Sequence, residues 1–153
     1  MAYLRDRDQR GLKSCNFAAG VDALKALTTG IDNIAIGTSV ADALLAGACN
    51  IAMGTNALGA ATAVTHSVAI GTTAMSGVTT GTAHCNIAIG FDSLKGDSNT
   101  VGASNVAIGS FAAASITTGK CNVAIGDNAM EATQSGCLNV AIGNVALGGA
   151  AVT

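Results

Sequence analysis

A short motif in which apolar and polar positions alternate returns along the whole chain. The motif has the form Asn-Ile/Val-Ala-Ile-Gly, and its copies are separated by 17 or 19 residues. Eight copies begin at the polar positions Asn16, Asn33, Asn50, Ser67, Asn86, Asn105, Asn122 and Asn139. A fixed period of this length predicts a solenoid, and 17 residues are too few for a pair of helices.

The alternation inside the motif predicts one strand in each coil. The apolar second and fourth residues share one face of such a strand, and the alanine between them faces the other way. Glycine then ends the strand, where the backbone has to bend sharply. We expect the isoleucines and valines to point into the coil and the alanines to point outward. A looser signature follows the glycine, x-x-Ala-Leu/Met, as at 21–24, 55–58 and 127–130, and predicts a second short strand.

The predicted fold is therefore all-β, a parallel β-solenoid or β-roll of about eight coils with 17–19 residues each. Its coils would stack in register with a rise of about 4.8 Å, which gives a rod about 40 Å long. The polar position that opens the motif falls at a corner of the coil. Two interpretations of its asparagines stay open: a ladder of stacked amides, or turn residues that tolerate a left-handed backbone.

The third position of the motif is alanine in all eight copies. A side chain that faces solvent has no need to be so small at every coil, so the column predicts a closely packed interface between subunits. Aromatic residues make up only 3% of the chain, and a core without large rings also favours self-association. The residues predicted to form the interface are Ala35, Ala52, Ala69, Ala88, Ala107, Ala124 and Ala141.

Composition excludes several classes of function. Charged residues are 10% of the chain and the net charge is −2, which argues against a protein that binds nucleic acid or an anionic membrane. No apolar stretch is long enough for a transmembrane helix, and the N-terminus lacks the apolar segment of a secretory signal. We expect synthesis in a cytoplasm, where the five cysteines would be thiols.

Motifs for catalysis are missing, since the chain has no GxSxG, phosphate-binding loop or HExxH. We therefore predict a protein that is not an enzyme and that needs no cofactor. Four cysteines directly precede the motif in alternate coils, about 9.6 Å apart and beyond the reach of a disulfide. We expect them to be partly buried thiols that fill a corner. A zinc site made of Cys49, His66 and Cys85 has suitable ligand types but poor spacing, and this question stays open.

The first 15 residues are predicted to be a docking arm, and residues 16–153 are predicted to be the β-roll domain. The arm holds four of the seven basic residues of the chain, Arg5, Arg7, Arg10 and Lys13. In the other interpretation the segment is a polar cap on the first coil, which the end of a solenoid needs.

The repeat resembles the head domains of trimeric autotransporter adhesins. The resemblance covers residues 16–147 and rests on NIAIG or NVAIG followed by x-x-Ala-Leu. It implies a left-handed parallel β-roll in which three chains pack side by side. The same type of repeat occurs in phage tail-fibre and virion proteins, where longer units often end in Thr-Thr-Gly, as this chain has at 28–30, 79–81 and 117–119.

The chain departs from autotransporters because it shows no signal peptide, coiled-coil stalk or membrane anchor. We therefore expect a phage virion protein made in the host cytoplasm: a trimeric fibre, a fibre segment or a capsid decoration protein. Its partners would be itself, other virion proteins contacted through the arm, and a host surface receptor. The alternatives are the adhesion head of a bacterial surface protein and an ice-binding solenoid, although Thr-Thr-Gly recurs in only three of eight units.

Overall fold

The structure, a computed structural model, describes residues 15–79, 83–96 and 102–149. Eight parallel strands form one sheet in chain order, each strand the apolar centre of one motif copy. They are β1 (Phe17–Ala19), β2 (Ile34–Ile36), β3 (Ile51–Met53), β4 (Val68–Ile70), β5 (Ile87–Ile89), β6 (Val106–Ile108), β7 (Val123–Ile125) and β8 (Val140–Ile142). This architecture confirms the predicted all-β parallel solenoid. In the described part of the chain, no helix is long and apolar enough to cross a membrane.

Neighbouring strands pair residue for residue along the rod. Ala107 pairs with Ala124 across a 17-residue coil, and Ala69 pairs with Ala88 across a 19-residue coil. The two extra residues of the longer coils are therefore accommodated outside the strands. Each position of the motif forms a column that stays in phase from β1 to β8.

The asparagines that open the motif form a buried ladder, which confirms the first of the two interpretations. Asn122 donates from Nδ2 to Asn105 Oδ1 at 3.0 Å, and the same oxygen accepts the backbone N–H of Asn122. Nδ2 also donates to the carbonyl of Gly136 at 2.7 Å, so each amide joins two coils and closes its own corner. Ser67 replaces one amide, and its Oγ accepts the backbone N–H of Asn86 at 3.2 Å.

The x-x-Ala-Leu/Met segment is a turn, so the prediction of a second strand is wrong. Its second and fourth residues are left-handed, with φ of 58° at Asn56 and 54° at Leu58. Left-handed residues cannot continue a strand. The segment still bonds along the rod, because the N–H of Leu58 donates to the carbonyl of Ala74 at 3.0 Å. Each coil thus contains one strand and one turn segment.

The inside and the outside of the sheet are the reverse of the prediction. The alanines of the motif point inward and are at most 3% exposed within the single chain, whereas Ile34 and Ile87 are 39% and 37% exposed. An alanine that is already buried in its own chain cannot contact a second chain. The predicted interface is therefore wrong for all seven residues, Ala35, Ala52, Ala69, Ala88, Ala107, Ala124 and Ala141.

The turn segments explain this reversal, since they supply the bulk of the core. Leu58, Met75, Leu94 and Met130 come from the fourth position of the turn segment and are almost completely buried. They occupy the interior from the wall opposite the sheet. The coil is so narrow that the sheet can contribute only a methyl group, and isoleucine in place of alanine would overpack it.

Candidate interaction surfaces

The outward side chains of the eight strands form one continuous apolar surface, which we call the strand face. Its first column contains Phe17, Ile34, Ile51, Val68, Ile87, Val106, Val123 and Val140. Its second column contains Ala19, Ile36, Met53, Ile70, Ile89, Ile108, Ile125 and Ile142. No charged or polar side chain interrupts either column. Soluble monomers rarely leave such a large apolar patch in water, so the strand face is a candidate interface.

An exposed column borders the strand face, one position before each motif, and its residues are small or polar in every coil except the last, where Leu138 holds the place. Cys49, Cys85 and Cys121 belong to it and are left-handed, with φ of 58°, 59° and 57°. This conformation turns the thiol outward while the next residue, asparagine, turns inward. All five cysteines are exposed, and none of them forms a disulfide within the chain. The prediction of thiols that fill a corner is therefore wrong.

The zinc set suggested by the sequence is not brought together. Among the described residues, no three His, Cys, Asp or Glu side chains are arranged to hold a metal ion. Cys49, His66 and Cys85 lie on successive coils of the exposed column, as expected from their spacing. His84 is engaged elsewhere, because its Nδ1 accepts the backbone N–H of Thr65 at 3.1 Å.

Two ion pairs lie within the turn segments of the described coils. Lys25 lies 3.6 Å from Asp22, and Lys95 lies 3.2 Å from Asp92. The Asp92 carboxylate is mostly buried and also accepts a hydrogen bond from the Thr73 hydroxyl. The pair at Lys25 is exposed and contributes about 1 kcal/mol or less. Both pairs join residues three positions apart, so they stabilise their own turns.

The predicted docking residues Arg5, Arg7, Arg10 and Lys13 lie outside the described residues. The strand face was missed as a site, although its signal was present in the sequence. The motif alternates between alanine and larger apolar residues, so one of the two strand faces had to be entirely large and apolar. What the alternation left open was the direction in which that face points.

The resemblance described in the sequence analysis rests on the repeated motif alone. The described coils have the parallel solenoid architecture that the resemblance implies. The chain matches no protein-family model, no curated protein and no solved structure.

Proposed function

We propose that this chain is a structural, non-enzymatic rod of a phage particle, and that three copies associate side by side through the strand face. The strand face is the observation that supports this function most directly. Two apolar columns run from β1 to β8, and their central side chains are partly exposed in the single chain. Association removes this apolar surface from water, which is the main driving force for assembly.

A trimer suits the shape of this surface. Each chain has one strand face, and a closed three-fold arrangement turns three such faces toward a common axis, where all of them are buried. Three chains is also the number that the resemblance to autotransporter heads implies. The product is a stiff rod that would serve as a fibre, a fibre segment or a capsid decoration protein. Its attachment to the particle is assigned to the arm, residues 1–15.

Replacement of Val123 by lysine is expected to dissociate the trimer into monomers. Val123 lies in a central coil of the strand face, and three ammonium groups near one axis would be buried without partners. Light scattering during gel filtration measures the mass. Lysine at Thr118, an exposed residue outside the strand face, is the matched control and should leave the mass unchanged. An unmodified chain that stays monomeric at micromolar concentration would contradict the proposal.

Removal of residues 1–13 is expected to abolish incorporation into the particle while the rod still folds and associates. All eight motifs remain after this truncation, and the rest of the chain offers few charged groups for a specific contact. The copy number of the chain in purified particles is the readout. A full-length variant with glutamine at Arg5, Arg7, Arg10 and Lys13 removes the positive charge without shortening the arm, so it distinguishes the effect of charge from the effect of length. If the contact is electrostatic, incorporation of the unmodified chain should also weaken as the salt concentration rises. Normal copy number after the truncation would assign attachment to the solenoid.

The adhesion head of a surface protein is the second candidate, because the motif resembles such heads and would use the same trimer. Location distinguishes the two roles: antibodies against the chain should label purified particles in the first case and the surface of intact cells in the second. No observation favours the ice-binding alternative. The hydroxyls of Thr28 and Thr62 donate to carbonyls of the next coil at 2.8 and 2.9 Å instead of forming a regular outward array.

A further inference from the structure

The last described coil, residues 139–149, leaves the interior of the rod open. Leu147 is 40% exposed, whereas Met130 in the same column of the preceding coil is 0% exposed. Val140, at the end of the strand face, is 66% exposed. The coil contains no charged residue and no proline. Proteins usually block an exposed edge or a solenoid end with charge, proline or a polar cap, and the described residues of this coil supply none of these.

Backbone donors at this end point along the rod without acceptors. In the preceding coil, the N–H of Val123 donates to the carbonyl of Asn139 at 2.8 Å. Val140 occupies the same place in the last coil, and its N–H has no acceptor among the described residues. The edge of β8 is therefore a template for one more parallel strand.

The first coil presents the complementary edge. In the second coil, the N–H of Gly37 donates to the carbonyl of Ala19 at 2.8 Å. Gly20 is the equivalent residue of the first coil, and within the described ranges its N–H finds no acceptor. A carbonyl of a preceding coil would satisfy it, and the carbonyl of Ile142 at the other end of the rod is of this kind.

The amide ladder is also complementary at its two ends. Asn139 donates to the amide of Asn122, but no described residue donates to its own Oδ1. Asn16 accepts from Asn33 through Oδ1, and its Nδ2 donates to the carbonyl of Gly30. In every amide-to-amide step of the ladder, Nδ2 also reaches the amide oxygen of the preceding coil. The Oδ1 of Asn139 is the oxygen that Asn16 lacks.

Space for another coil is preserved beside Gly143. A methyl group on Gly126 would lie 2.4 Å from the carbonyl oxygen of Gly143, because the glycines of adjacent coils touch. A methyl group on Gly143 would meet nothing within 4 Å. The last coil thus retains the glycine that close stacking needs, on a side where no described residue stacks.

From these observations we infer that the last coil of one copy binds the first coil of a second copy, so that rods join end to end. The N–H of Val140 donates to the carbonyl of Asn16, the N–H of Gly20 donates to the carbonyl of Ile142, and the amide of Asn16 bonds to Asn139. The sheet, the core and the ladder then continue across the junction. This inference goes beyond the side-by-side trimer and does not depend on it, since every bond runs along the rod axis.

A disulfide between the native Cys15 of one copy and a cysteine introduced at position 138 of another copy tests the junction in the full chain. Cys15 and Leu138 occupy the same column, one position before the motif in the first and last coils. In the proposed junction they are one coil apart, about 4.8 Å, which lies within the range of Cα separations for a disulfide. The variant Leu138→Cys is made with Cys121→Ser and Cys137→Ser, which remove the nearest competing thiols. We expect mild oxidation to give a ladder of multimers on a non-reducing gel, with peptides that join Cys15 to the introduced thiol.

Two comparisons make the result specific. Adding Cys15→Ser should remove the ladder of multimers. Adding Val140→Pro should lower the yield of the cross-link about tenfold, because it deletes the N–H that bonds across the junction, whereas Val140→Ala keeps that N–H and the cross-link. Circular dichroism verifies that both variants fold. Folded protein that forms no link to Cys15, or that links only two introduced thiols, would overturn the inference whether or not the chain is a trimer by mass.

Discussion

Replacement of Asn105 by leucine is expected to lower the free energy of unfolding by about 2–6 kcal/mol. The Asn105 amide accepts the backbone N–H of Asn122 at 3.0 Å and donates to the carbonyl of Gly119 at 2.9 Å. Leucine would leave both of these groups in a buried corner without partners, and each orphaned group costs about 1–3 kcal/mol. Guanidinium unfolding followed by circular dichroism measures the change.

Two variants control for the change of shape and for the position in the rod. Asn105→Ser should be milder than leucine, because Ser67 already holds the same place in another coil and its hydroxyl accepts the next N–H. In dilute single rods, Asn139→Leu should cost about 1 kcal/mol, since only the bond to the Asn122 amide is lost and no described residue of the same chain donates to Asn139. Equal losses from Asn105→Leu and Asn139→Leu would show that the ladder does not carry the stability of the corner.

Replacement of Gly109 by alanine should have a comparable effect, about 2–6 kcal/mol from two causes. The φ of Gly109 is +134°, a conformation that is strained for any residue with a Cβ, and this strain costs about 1–3 kcal/mol. The new methyl group would also lie 2.4 Å from the carbonyl oxygen of Gly126, a backbone atom that cannot move alone. Relief of that clash requires two coils to separate, which costs about 1–3 kcal/mol more.

Gly143→Ala, measured in dilute single rods so that no second copy stacks on the last coil, is the matched control, because it has the strain without the clash. Its φ of +126° is similar, but a methyl group there meets nothing within 4 Å. We expect a loss of about 1–3 kcal/mol from the backbone alone. The difference between the two variants in unfolding midpoint isolates the close approach of the coils. Equal midpoints would mean that the glycine column serves only the backbone conformation.

The strand positions, the coil number and the register were predictable because each coil must satisfy the same hydrogen bonds at the same place. Asn105 and Gly109 mark that place at the two ends of a strand, and they do so in nearly every coil. The requirement is local and repeated, so it is visible as a repeated motif. The ladder followed from the same logic, although the alternative of a simple turn residue could be rejected only from the bonds of Asn105.

The turn segment was misread because its pattern also satisfies the alternation of a strand. A usable signal was present at its second position, where Asn56, Asn128 and Asp22 are residue types that tolerate a left-handed backbone. Leucine and methionine at the fourth position gave no such signal, since they rarely adopt positive φ. At Leu58, burial of the side chain in the core stabilises a left-handed backbone conformation that leucine does not favour by itself.

The alternation of alanine with larger apolar residues determined that the two faces of each strand differ, and that one of them is apolar throughout. It did not determine which face is inside, because both faces carry apolar side chains and the alternation is the same whichever face points into the coil. The tertiary structure decided this through the opposite wall of the coil. Leu58, Met75 and Met130 fill the narrow interior, only a methyl group fits against them, and the isoleucines and valines are therefore left on the outside, where a second chain can cover them.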